Sequence, residues 1–125
     1  QTLTLEIDGK LHDFAHHGRV GLRAWTSSAA GVAAEVMIDY AQAGLKLPSY
    51  VWRGHNHIID DSGSKIAGTR CISLPSWQLK TTYGWRISSN AARSDIGGYV
   101  VVDGLLDDSK ARYFGQPDGR KVIRV

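Results

Sequence analysis

Three histidines define the chemistry this chain could do. His16, followed by His17 and Gly18, stands where an apolar alternation ends, and His55 and His57 stand two apart just after Tyr50-Val51-Trp52-Arg53-Gly54. Neutral imidazole is the commonest protein ligand for zinc and also suits manganese, iron, cobalt and nickel. In an extended segment residues two apart project to the same side, so the His55 and His57 rings can converge on one point or on two adjacent points. Gly54 lets the backbone approach closely there. Any one of these histidines alone reads more often as a surface or satisfied structural residue; a His-x-His pair joined by a second strand-terminal His brings metal ligation level with that reading. His17 takes the place of His16 if the register slips by one.

Such a site needs strands that end together. Leu3, Leu5 and Ile7 alternate with Thr4 and Glu6, Asp8-Gly9 is a favoured two-residue turn, and residues 11–16 form the return strand of a hairpin. Ser27 or Ser28 can cap a helix over about 29–43, which Gly44 and Pro48 end. Val32, Val36, Met37 and Tyr40 share one face of that helix, opposite Glu35, Asp39 and Gln42, so it should pack on a sheet. Tyr50-Val51-Trp52 is a short buried strand, 60–63 a turn, and 66–74 one or two strands ending at Pro75. Residues 77–93 read as a long polar and aromatic loop. Residues 96–102 are the strongest strand by composition, with 111–114 and 122–125 as further short ones. The expected fold is α/β, a β-rich sheet with one main helix, in a single domain over residues 1–125.

The chain has 125 residues, enough for one hydrophobic core. Apolar residues at 42% and charged residues at 22% are ordinary for a globular protein, and no run is long enough to span a membrane. A net charge of +3 is spread along the chain, a weak preference for anionic substrates. Cys71 is the single cysteine and cannot form an intrachain disulfide, which with the lack of a signal-peptide pattern points to the cytoplasm. Opening on Gln1, with strand-like alternation at once, the chain reads as a piece of a longer polypeptide.

At Gly54-His55-Asn56-His57 and Phe14-Ala15-His16-His17-Gly18 the sequence resembles the calcineurin-like metallophosphoesterases. That family places Gly-His-x-His after a core strand late in its domain, preceded by a strand that ends in His, with a helix and a strand between the two. Leu74-Pro75-Ser76-Trp77-Gln78 and Thr82-Tyr83-Gly84-Trp85-Arg86 are similar to its phage and bacterial members. The resemblance implies the C-terminal half of a four-layer sandwich. It also implies His16 and His55 as ligands of one ion and His57 as a ligand of the other, with manganese, zinc, iron, nickel or cobalt as the metal. In such a centre two ions about 3.5–4 Å apart hold a bridging hydroxide that attacks phosphorus in line. The reaction implied is hydrolysis of a phosphomonoester or phosphodiester, nucleotides and nucleic acid included.

The family's upstream motifs, Asp-x-His, Gly-Asp-x-x-Asp and Gly-Asn-His-Asp or Gly-Asn-His-Glu, do not occur in this chain. They supply the bridging carboxylate and the remaining ligands, so this chain alone is expected to hold one ion or none and not to turn over substrate. The expected partner is the N-terminal half of the domain, another chain, or a second copy, with no membrane involved. The alternative is a non-catalytic binding or assembly module that keeps the half-fold.

Arg53 and Arg86, with Arg70 and Lys80, could bind a substrate phosphate or be solvated surface. Trp85, with Trp77 and Tyr83, could stack on a base or pack within the loop. Asp60-Asp61 could supply a ligand, orient a histidine, or form a solvated turn. His55-Asn56-His57 spells the name of the HNH nucleases, but that motif disperses its residues over some thirty positions.

Overall fold

The structure, a computed structural model, describes residues 2–16, 28–55, 59–63, 68–77 and 96–108, and the backbone of 112–114. Its elements in chain order are β1 (Thr2–Ile7), β2 (Lys10–Ala15), α1 (Ala29–Gln42), β3 (Tyr50–Arg53), β4 (Asp60–Asp61), β5 (Arg70–Ser73), β6 (Ile96–Gly98), β7 (Val101–Val102), β8 (Leu105–Leu106) and β9 (Arg112–Phe114). This is a mixed α/β fold, rich in strands, with one helix and a mixed sheet among the described residues. No described helix is long and apolar enough to cross a membrane.

The main sheet runs β1-β2-β3-β5-β4, with β2, β3 and β5 parallel at its centre and β1 and β4 antiparallel at its edges. The β1–β2 hairpin turns through Asp8 and Gly9 at φ 49° and 75°, the doubly left-handed turn that Asp-Gly favours. Between β2 and β3 the chain crosses over through α1. Ser28 caps that helix, its hydroxyl accepting from the Gly31 N–H at 3.2 Å. At the far end Gly44 adopts φ 68°, and the N–H groups of Gly44 and Leu45 return to the carbonyls of Ala41 and Tyr40. This close satisfies the last turn where a residue with a side chain would be strained.

Alternation along the strands gives the sheet two different faces. On one, Ala29, Val32, Ala33 and Val36 of α1 bury against Val51 and Cys71, with Tyr40 at the margin. Burial pushes the Cys71 thiol up to about 12, so it sits there as a small apolar group. On the other face His12 and Phe14 of β2 pair in register with Tyr50 and Trp52 of β3, and Ile72 follows on β5. Each fully buried Val or Ile in this sheet contributes about 1.5–3 kcal/mol over its exposed state.

Two expectations need correction. Asp60-Asp61 is not part of a turn but a two-residue strand against Ile72 and Ser73, and the turn comes after it, at Gly63 with φ 57°. The run 96–102 is two strands. Gly97 and Gly98 offer no side chains to carry one strand onward, and the Asp103-Gly104 turn, at φ 52° and 76°, draws Val101–Val102 into its own hairpin with Leu105–Leu106. β6 pairs instead with β9, within the segment expected at 111–114. Beyond Ser76, which bridges to Ile96, and Trp77, the expected 77–93 loop lies outside the described residues, as do residues 66–67, 111 and 122–125.

Candidate functional site

Because β2, β3 and β5 are parallel, their C-terminal ends share one edge of the sheet. His16 follows β2 directly, and Gly54-His55 follows β3. The Gly54 N–H donates to the Ala15 carbonyl at 3.0 Å, which extends the ladder by one step and sets His16 opposite Gly54. A side chain at position 54 would sit 3.3 Å from His16 Nδ1 and 3.4 Å from the His16 carbonyl, so glycine leaves the room that the His16 ring occupies. The next residue, His55, holds φ 78°, a left-handed conformation that a residue with a side chain adopts at some cost.

The outcome is that the two rings meet. His16 and His55 lie edge to face with ring centres 5.3 Å apart, both at the exposed rim of the sheet. Two imidazoles that share one ion, each nitrogen about 2.0–2.1 Å from it at a tetrahedral angle, carry ring centres roughly 5 Å apart. The observed 5.3 Å is of that size, for two of the ligands such an ion would need. His17 and His57 lie outside the described residues, and among those that are described no group of three or more His, Cys, Asp or Glu gathers as a metal site would require.

The neighbouring carboxylates are engaged in holding the scaffold. Asp60 Oδ2 accepts from the Ala29 N–H at 2.7 Å, placing a negative charge at the N-terminus of α1, whose own first turn has no acidic residue. Asp61 receives Arg70 in a two-pronged pair, Nε to Oδ1 at 2.9 Å and NH2 to Oδ2 at 2.6 Å. Arg70 holds the Asp61 carboxyl below the usual range, and its guanidinium also reaches Asp108. Both aspartates thus have partners within the scaffold, and Arg70 is paired within the chain.

Arg53, a candidate for phosphate binding or solvated surface, is 7% exposed and lies on the helix side of the sheet. Its NH1 donates to Asp13 Oδ1 at 2.6 Å and to the Trp52 carbonyl at 3.0 Å. Tyr40 donates its hydroxyl to Asp13 Oδ2 at 2.9 Å, and Thr4 meets the same hydroxyl at 2.8 Å. The pair thus ties β2 to β3 just before the two histidines, and α1 and β1 are linked to it. Arg86, Trp85, Tyr83 and Lys80 lie outside the described residues. Trp77 is described and is 70% exposed.

His12 is the residue that the sequence reading passed over. It is fully buried on the second face, where its Nδ1 accepts from Trp52 Nε1 at 3.1 Å and its Nε2 donates to the Gly104 carbonyl at 3.0 Å. Those two bonds require the neutral ring protonated on Nε2, and burial pushes its pKa down. Its place two residues before Phe14 and four before His16, all on one side of the strand, was the available signal. Beside it lies a cleft of about 430 Å³ lined by Phe14, Trp52, Leu74, Trp77 and Tyr99 among others.

No family model matches this chain, and no curated protein matches it. The solution NMR structure of the Thermotoga maritima protein TM1076 is similar at 13% identity and a TM-score of 0.48, over 92% of this chain and 54% of that one. The chain thus spans about half the length of that protein.

Proposed function

We propose that this chain carries the histidine side of a metal-dependent phosphoesterase centre. The observation that supports it is the meeting of His16 and His55 at the C-terminal edge of adjacent parallel strands, at a spacing that suits one shared ion. The left-handed backbone at His55 and the close approach of Gly54 to His16 support the reading of a shaped site at this rim. In this reading His16 and His55 bind one ion and His57 the other, in the manner of the calcineurin-like metallophosphoesterases. Two such ions polarise a phosphoester and supply the hydroxide that attacks it. This chain's residues hold the ions from one side, and the carboxylates come from an N-terminal half, another chain, or a second copy. Leu3 and Leu5, 55% and 41% exposed, offer apolar surface on the same sheet face as His12 and Phe14 for such a partner to cover.

With manganese, this chain assembled with the segment or chain that supplies the carboxylates should hydrolyse bis(p-nitrophenyl) phosphate, and His57→Ala should lower the rate by about a hundredfold or more. Full activity in that variant would remove the proposal. The second reading is a non-catalytic binding or assembly module, favoured by the engagement of Asp60 and Asp61 elsewhere. It predicts unchanged partner binding when His55 and His57 are both replaced, and no stoichiometric metal.

A further inference from the structure

The β7–β8 hairpin lies on the second face of the sheet, and His12 fastens its turn. Gly104, at φ 76°, presses against the Ile7 carbonyl so closely that no side chain could stand there, and its own carbonyl receives the His12 Nε2–H. Leu106 donates its N–H to the Tyr50 hydroxyl at 3.0 Å, and Arg70 reaches Asp108 just past β8. Packing adds less, since Val102 and Leu105 are 41% and 50% exposed. Under the hairpin's approach, Tyr99 and Val101 face His12, Phe14 and Trp52 across the cleft.

The geometry points to His12 as an acid-sensitive latch that holds the β7–β8 hairpin over the aromatic cleft and releases it when the imidazole is protonated. A second proton must go on Nδ1, which faces the Trp52 N–H, so an accepted hydrogen bond becomes a donor facing a donor. Among the described residues, no carboxylate is recorded as acting on the ring to balance the cation. Lys10 on β2 disfavours it, the Tyr50 hydroxyl on β3 is engaged with Leu106, and Arg70 on β5 is occupied by Asp61 of β4 and by Asp108. Asp103 in the turn and Asp107 beyond it belong to the hairpin itself and move with it. Lifting the hairpin lets water reach the ring, while β2, β3 and β5 stay paired.

The sign follows from linkage. His12 in the closed state has a pKa below 6.5, so the open state binds more protons; closure is fully favoured above that value and weakens as pH falls below it. The latch does not depend on the metal reading. The test is amide exchange on this chain at about pH 7.5 and about pH 5, with the His12 imidazole followed by ¹⁵N shifts; protection at Leu106 and Asp107 should drop about tenfold while Trp52 and Ile72 keep theirs. The drop should track the His12 titration and vanish in His12→Gln. Loss of protection at Trp52 and Ile72 together with Leu106 would overturn the proposal. So would an unchanged pH response in a folded His12→Gln, or a His12 midpoint more than about one pH unit from that of the drop; this last comparison uses the unaltered chain and stands whether or not the variant folds.

Discussion

Arg53→Met should destabilise the chain by about 3–5 kcal/mol, because it strands the Asp13 carboxylate in the interior. Asp13 is 5% exposed, and its remaining described donor is the neutral hydroxyl of Tyr40, which cannot compensate a buried charge. Methionine fills much of the arginine stem's volume, so the loss reads the charge more than a cavity. Removing both charges tells the two apart. Asp13→Asn combined with Arg53→Met should recover a good part of the loss, since a neutral amide costs less to bury than a lone carboxylate. Urea unfolding followed by tryptophan fluorescence checks this. An Arg53→Met chain within about 1 kcal/mol of the unaltered one would show the pair to be no more than a surface ion pair.

Gly104→Val should be the second large effect. A β-branched residue at φ 76° is strained by about 1–2 kcal/mol before any contact is counted. Its Cβ would then meet the Ile7 carbonyl, backbone that cannot swing aside as a flexible side chain would. We expect the hairpin to leave the sheet, His12 to lose its carbonyl partner, and total stability to fall by about 2–4 kcal/mol. Gly104→Val would then mimic at neutral pH what acid does to the unaltered chain. The measurement is the pair of Leu106 and Asp107 amide protections. If both stay at their normal level with Val in place, the turn is not seated as described.

Much of the scaffold was legible because local chemistry and tertiary structure agree in it. Asp8-Gly9 sets its hairpin, Ser28 caps its helix and Gly44 ends it, each through a bond or dihedral that the residue type favours. The pairing of His16 with His55 came from the family resemblance, since spacing alone set His55 beside His57, and the structure supplies its physical reason. Strands joined by a helix run parallel, and residues just past their ends must then share an edge. What stayed hidden depends on partners distant in sequence. Arg53 reads as surface because a charge at a strand end usually is; its burial follows from Asp13, 40 positions away. The His12 bond to Gly104 spans 92 positions, and nothing local to either residue announces it. Composition made 96–102 one strand, whereas the Asp103-Gly104 turn, a signal of the same kind as Asp8-Gly9, divides it and supplies β8.

The claim that His16 and His55 form a metal half-site is tested most directly by manganese, whose unpaired electrons broaden nearby resonances. The chain has five histidines, and His12, buried with both ring nitrogens engaged, is an internal control. With substoichiometric manganese the His16 and His55 imidazole signals should broaden first while His12 persists, and the effect should disappear from the rest of the spectrum in the His16→Ala, His55→Ala double variant. Equal broadening of all five, or none at millimolar manganese, would contradict it.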